Sequence, residues 1–191
     1  MGKGLPTDFG NHYDLPHIPI WNMELYVLRH AIAEERDSER FPDDSLRPLT
    51  DRGREKMRRI AAGIKRLGVE FDEILSSRYV RARQTAEIVA EVYSFRRKIG
   101  RIELLEPDRD PKDLIRMLKQ KYRKADSLML VGHEPHLGHL ISELLLGKTR
   151  LQLTLKKGGL CKVSWDTKPR GARPTLEWFL TPKQLRLLAA G

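Results

Sequence analysis

The chain has 191 residues, 40% hydrophobic and 32% charged, with a formal net charge of +10 and one cysteine. That length suits one domain with a real core rather than two, and the balance is that of a soluble globular protein. A lone Cys161 excludes an internal disulfide and fits a reducing, cytoplasmic setting, and no apolar run approaches the roughly 20 residues needed to cross a bilayer.

Residues 1–22, MGKGLPTDFGNHYDLPHIPIWN, lack the apolar region of a signal peptide. Pro6 breaks the myristoylation pattern. This segment reads as an N-terminal arm, with the domain over 23–191. The first strand is expected from Glu24 to Leu28, running directly into Arg29 and His30. ERDSERFPDDSLRP is polar and reads as a loop. Thr50 is positioned to cap a helix with Asp51 in its first turn. Met57, Ile60, Ala61, Ile64 and Leu67 recur at helical spacing, and Gly68 stops the helix. A short strand is expected over Glu73–Leu75, then Ser76-Ser77, then a helix from Val80 to Val92.

IELL at 102–105 reads as a short strand, followed by the loop EPDRDP and a helix over Lys112–Tyr122. LMLV at 128–131, ended by Gly132, has the unbroken apolarity of a buried parallel strand. His136–Leu146 reads as a helix with Gly147 beyond it. The remainder changes character: LQLTL, LCKVSW and TLEWFL are β-rich, with KKGG and KPRGARP as turns between them. A short helix follows Pro182. Strands alternating with helices predict an α/β sheet covered on both faces and finished by strands at one side.

Ligands of such sheets bind beyond the carboxyl ends of the strands. Three predicted strand ends carry unusual polar residues: Arg29-His30, Ser76 to Arg81, and Gly132-His133. Two arginines and two histidines on one rim suit phosphoryl transfer. Arg29 and Arg81 can grip phosphoryl oxygens through planar forks. Arg81 also lies near a helix start, which favours an anion. One histidine can attack phosphorus as a neutral imidazole, and the other can stabilise the charge that develops on the oxygens. Water would then hydrolyse the phosphohistidine. Fixed cations neutralise the phosphoryl group in this scheme, so no metal or other cofactor is expected.

LRHA at 28–31, SSRYVRARQTA at 76–86 and VGHEPHL at 131–137 resemble the three signatures of the histidine phosphatase, or phosphoglycerate mutase-like, superfamily. RPLTDRGREKM at 47–57 and LKKGGL at 155–160 look like its SixA-type branch. The resemblance implies a three-layer αβα sandwich with a mostly parallel sheet and no large cap domain. It implies His30 as the nucleophile, Arg29 and Arg81 as phosphoryl ligands, and His133 as the second histidine. Ser77 and Arg78 join Arg29, Arg81 and His133 as substrate-binding residues. Ala31 stands where the family often has glycine, and Arg78 where it often has proline. Many members use a carboxylate to protonate the leaving group. Glu34, Glu103, Glu106 and Asp108 are the candidates, with Glu106 ranked first for its place in the loop after a short strand. A phosphohistidine leaving group would need such an acid less.

Rival readings are weaker. His133, His136 and His139 are evenly spaced but do not share a helix face in the manner of a metal site, so no metal is expected. His136 is expected at the pocket mouth and His139 on a helix surface. In DRD at 108–110, Glu106-Pro107 intervene where an aspartyl phosphatase wants an apolar strand. GKT at 147–149 follows a helix and lacks the leading glycine of a P-loop, with Ser142 in its place. Cys161 has Thr167 where a cysteine phosphatase needs arginine, so it is expected to be a packed strand residue. No zinc-finger, aromatic RNA-binding or helix-turn-helix pattern supports a nucleic-acid partner. The expected partner is a phosphohistidine-bearing protein at an open, basic site, and the chain is expected to be a monomer. A small-molecule phosphomonoester phosphatase and a non-enzymatic basic phospho-ligand module are the alternatives.

Overall fold

The computed structural model describes residues 22–122, 124–149, 151–166 and 174–190. The arm expected over 1–22 lies outside them except for Asn22, as does most of the KPRGARP turn. β1 runs Asn22–Arg29, β2 Glu73–Ser76, β3 Gly100–Arg101, β4 Ser127–Gly132, β5 Leu160–Asp166 and β6 Thr175–Leu180. The helices are α1 Asp51–Arg66, α2 Val80–Tyr93, α3 Pro111–Lys121, α4 His136–Leu146 and α5 Pro182–Leu188. The strands form one sheet in the order β3-β2-β4-β1-β5-β6. Its first four members are parallel and the last two antiparallel.

Alternation along the strands sorts the core into two layers. Tyr26 and Leu28 of β1 and Met129 and Val131 of β4 join Met57, Ile60 and Ile64 of α1, Ala82, Ala86 and Val89 of α2, and Leu185 of α5. Leu25, Val27, Leu128 and Leu130 face the other way, onto Leu114 and Leu118 of α3 and Leu137, Leu140 and Ile141 of α4. The result is the expected three-layer αβα sandwich, with Cys161 buried in the second layer. Thr50 caps α1, its hydroxyl accepting from the Gly53 N–H, and Gly68 leaves the helix with φ of 74°. Among the described residues no helix is long and apolar enough to cross a membrane.

Two predicted strands are absent. IELL is a 3-10 turn over Glu103–Leu105, and the strand lies just before it at Gly100–Arg101. β2 ends at Ser76, paired with Arg101. Ser76 accepts one more bond, from Ile102 N–H at 2.9 Å, after which no ladder remains. LQLTL at 151–155 joins no strand. The Leu155 N–H donates to Glu134 Oε1 at 2.7 Å, and its carbonyl accepts from Arg29 Nη1 at 2.7 Å. Side chains therefore take the bonds a ladder would need. The polar loop before α1 also contains a 3-10 turn, Asp44–Leu46.

Register levels the strand ends. Arg29 pairs with Gly132 across β1 and β4, and Ser76 pairs with Val131 across β2 and β4. The pattern continues past the sheet, His30 N–H donating to Gly132 O at 3.0 Å and Ser77 N–H to Val131 O at 2.9 Å. All three signature segments therefore leave the sheet at one edge.

Candidate active site

His30 and His133 face each other there, ring centroids 5.0 Å apart. Nδ1 of His30 lies 2.7 Å from the Ala31 carbonyl. A carbonyl only accepts, so Nδ1 carries the hydrogen and Nε2 keeps its lone pair. Burial pushes the imidazole pKa down to about 3, with Arg81, Arg29 and Lys157 acting the same way against the opposing Ala31 bond. The ring is therefore neutral across the physiological range. Its backbone is fixed by Thr85, whose hydroxyl accepts from Ala31 N–H at 3.0 Å and donates to Arg81 O at 2.7 Å.

His133 Nε2 is 2.9 Å from Ser77 Oγ, which also accepts from Tyr79 N–H at 3.2 Å. Ser77 Oγ keeps a hydrogen and a second lone pair, so it can donate to Nε2 or accept from it; when it donates, the hydrogen of His133 is on Nδ1. Nδ1 is buried and has no partner among the described residues. Burial lowers the His133 pKa to about 2, and His30 and Arg81 add to the effect.

The arginines are anchored by their tips. Arg29 donates from Nη1 to Leu155 O. Arg81 is 4% exposed and donates from Nη1 to Asp44 O at 2.7 Å and from Nη2 to Asp44 Oδ2 at 2.8 Å. The fork expected to grip substrate is thus turned onto Asp44. In both arginines Nε is buried and unpartnered among the described residues. Tyr79 packs between Arg81 and His133, 4.9 Å from the guanidinium carbon and 5.0 Å from the imidazole centroid.

Arg78, Glu103, Glu106 and Arg109 form an ion network at the rim. Arg78 Nε meets Glu106 Oε1 at 2.7 Å, and Arg78 Nη2 meets Glu103 Oε2 at 3.1 Å. Arg109 contacts both glutamates. Glu106 is 6% exposed and spends its oxygens on guanidinium groups, so holding Arg78 is its visible contact. His136 does not line a pocket mouth. It is 1% exposed with both ring nitrogens unpartnered among the described residues, because it opens α4 inside the second core layer, whereas His139 is exposed. The expected openness is also reduced. The loop before α1 lays Asp44 on Arg81, and His30 is only 5% exposed.

Sequence reasoning did not find Asp44, Tyr79, Thr85 or Glu134. Thr85 and Gln84 lie inside the SSRYVRARQTA segment, where Gln84 Oε1 accepts from Leu49 N–H at 2.8 Å. That segment's length beyond Arg81 was the available signal for Thr85.

The model of the histidine phosphatase superfamily (branch 1) matches residues 25–105, and an uncharacterised protein of Picosynechococcus sp. is 36% identical over 143 residues, 72% of this chain and 82% of that protein. The chain belongs to the histidine phosphatase superfamily. Within it, phosphohistidine phosphatase SixA of Escherichia coli is 27% identical over 88% of this chain and 99% of its own. The solved structure of the protein histidine phosphatase SixA complexed with tungstate superposes with a TM-score of 0.73 at 26% identity, covering 85% of this chain and 99% of that one. This histidine phosphatase therefore has the phosphoglycerate mutase-like fold of SixA, and its SixA homologues make it a hydrolase.

Proposed function

We propose that this histidine phosphatase removes phosphate from phosphohistidine in proteins, without a metal, through a phosphohistidine on His30. The observation that carries this reading is the state of His30. Its Nδ1 is committed to the Ala31 carbonyl, which leaves Nε2 as a neutral nucleophile, facing His133 among unpartnered Nε groups of Arg29 and Arg81.

In the first step His30 Nε2 bonds to phosphorus, and the bond from phosphorus to the leaving nitrogen breaks. The leaving imidazole keeps that electron pair as a lone pair on the departing nitrogen, while the proton it arrived with stays on its other ring nitrogen, so it leaves neutral. Arg29, Arg81 and His133 Nδ1 supply donors to the equatorial oxygens, where charge develops. In the second step a water oxygen bonds to phosphorus, the Nε2–phosphorus bond breaks, and the water's proton passes to solvent. In this scheme the Ser77 hydroxyl donates to His133 Nε2, which puts the His133 hydrogen on Nδ1, and Arg78 contacts substrate from the rim. An imidazole that arrives protonated needs no carboxylic acid, which agrees with Glu106 being held by two arginines. For an alkyl phosphate, Glu106 is the acid we would assign. SixA, named a phosphohistidine phosphatase, aligns over most of the chain, which supports the reading.

The test compares phosphate release from a phosphohistidine-bearing protein, a sugar phosphate and an aryl phosphate, all in EDTA, with His30→Ala as control. Release from the phosphoprotein is expected, with loss of turnover in His30→Ala at unchanged thermal stability. A fully active His30→Ala protein would end the reading. Preference for the sugar phosphate would keep the mechanism and change the substrate class.

A further inference from the structure

Beside His30, on the α1 side of the rim, lies a small cleft of about 80 Å³ lined by Ala31, Ile32, Gly53, Lys56, Ile60, Lys157, Pro182 and Arg186. Its walls are aliphatic, and its three charged lining residues are all cations. None of Lys56, Lys157 and Arg186 makes an ion pair among the described residues. By contrast, four arginines of the rim and loop, Arg47, Arg78, Arg81 and Arg109, are matched by carboxylates, while Arg29 is held by a carbonyl.

The cleft is tied to the reaction centre through the backbone. Gly158 N–H reaches the carbonyls of Arg29 and His30 at 3.1 and 3.2 Å, so the turn bearing Lys157 rests on the nucleophile's own strand end. Gly158 sits at φ of 78°, a conformation that favours glycine. Lys157 shares the field of Arg29, Arg47 and Arg81, and Glu35 is the carboxylate whose field reaches it.

We propose that this cleft is a second anion subsite that receives an aspartate or glutamate side chain of the phosphorylated protein, next to the residue being dephosphorylated. The inference rests on the phosphoprotein reading above and adds a sequence preference to it. A carboxylate side chain matches the cleft in both parts: its methylenes suit Ala31, Ile32, Ile60 and Pro182, and its head suits the three cations. Free phosphate has no apolar portion to cover those walls. Ala31 follows His30 directly, and an extended chain advances roughly 3.3–3.6 Å per residue. The cleft is lined by the residue next to the nucleophile, so the acidic residue is taken to lie close in sequence to the phosphorylated one. The chain's net charge of +10 favours approach of an acidic segment.

The experiment compares two phosphohistidine peptides that differ only by aspartate or asparagine beside the phosphorylated residue, with p-nitrophenyl phosphate as the small substrate. Wild type is set against Lys56→Gln/Arg186→Gln. Removing two partly exposed contacts should raise KM for the aspartate peptide about tenfold. KM for the asparagine peptide and for p-nitrophenyl phosphate should stay within about twofold. Lys56→Arg/Arg186→Lys should keep the wild-type preference, which separates charge from folding. Equal KM shifts for both peptides, or none, would overturn the subsite.

Calorimetry with the same two sequences, each carrying a non-hydrolysable phosphonate, measures the preference without turnover. The subsite predicts tighter wild-type binding of the aspartate peptide, lost in the double variant. Absence of that preference in the wild type, or its persistence in the double variant, with turnover intact condemns the subsite alone, whereas absence of His30-dependent turnover condemns the parent reading. If inhibition by inorganic phosphate weakens about tenfold in the double variant while the peptides do not separate, the cleft takes free phosphate and the peptide assignment fails.

Discussion

At His30 the tautomer, the protonation state and the ring position are each set by a different neighbour. The Ala31 carbonyl holds the hydrogen on Nδ1, burial and the nearby cations keep the ring neutral, and Thr85 fixes the peptide that follows. Thr85→Val keeps the shape and removes the acceptor, leaving the Ala31 N–H buried without a partner. The expected loss is about 1–3 kcal/mol of stability, read by denaturant unfolding, together with a lower kcat and a smaller change in KM. Unchanged kcat would mean that Thr85 only packs. Arg29, His30, Arg81 and His133 were legible as a set because charged and imidazole side chains at the ends of apolar strands are costly without a task. Thr85, Asp44 and Glu134 were not legible. Each is an ordinary polar residue whose meaning lies in a partner 54, 37 or 21 positions away.

Among elements, the helices and buried strands followed from periodicity and caps, since α1 and α4 need nothing beyond their own sequences to be recognised. The short β-like runs did not, because a ladder depends on what the neighbouring strand has left to offer. LQLTL has the composition of a strand, but Glu134 takes its last N–H and Arg29 its last carbonyl. Close approach to α4 reinforces this, since a Cβ on Gly138 would stand 2.1 Å from the Leu153 carbonyl. Glu134 therefore links α4 through the 151–155 segment to Arg29. Glu134→Ala should cost about 1–3 kcal/mol of stability by stranding the Leu155 and Gly138 N–H groups. It should also lower kcat/KM for an aryl phosphate by loosening Arg29. Wild-type kcat/KM in a measurably destabilised protein would show that Arg29 is held without Glu134.

Across the whole molecule, positive charge and buried imidazoles act on the same equilibrium. His30, His133 and His136 are buried neutral, with pKa values lowered by burial to about 3, 2 and 4. The fields of His30 and Arg81 add to the shift at His133 and that of His139 at His136, where Asp110 and Asp108 oppose it. Unfolded histidines take up protons near pH 6.5, so between about 6.5 and 4 the unfolded chain binds protons that the folded one refuses. The stability these groups contribute is complete above pH 6.5 and falls as the pH drops through that window. Carboxylates enter later. Against the upward push of burial, Arg47 and Arg81 hold Asp44 below the usual carboxylate range, so its contribution is lost only at lower pH. Each neutral histidine adds about 1.4 kcal/mol per pH unit to the slope. His136 has no assigned part in the chemistry, and neither ring nitrogen is bonded among the described residues. His136→Phe should therefore remove about one proton from the slope, read as denaturant unfolding free energies between pH 4.5 and 7.5. An unchanged slope would mean that His136 takes up its proton in the folded protein as readily as in the unfolded chain.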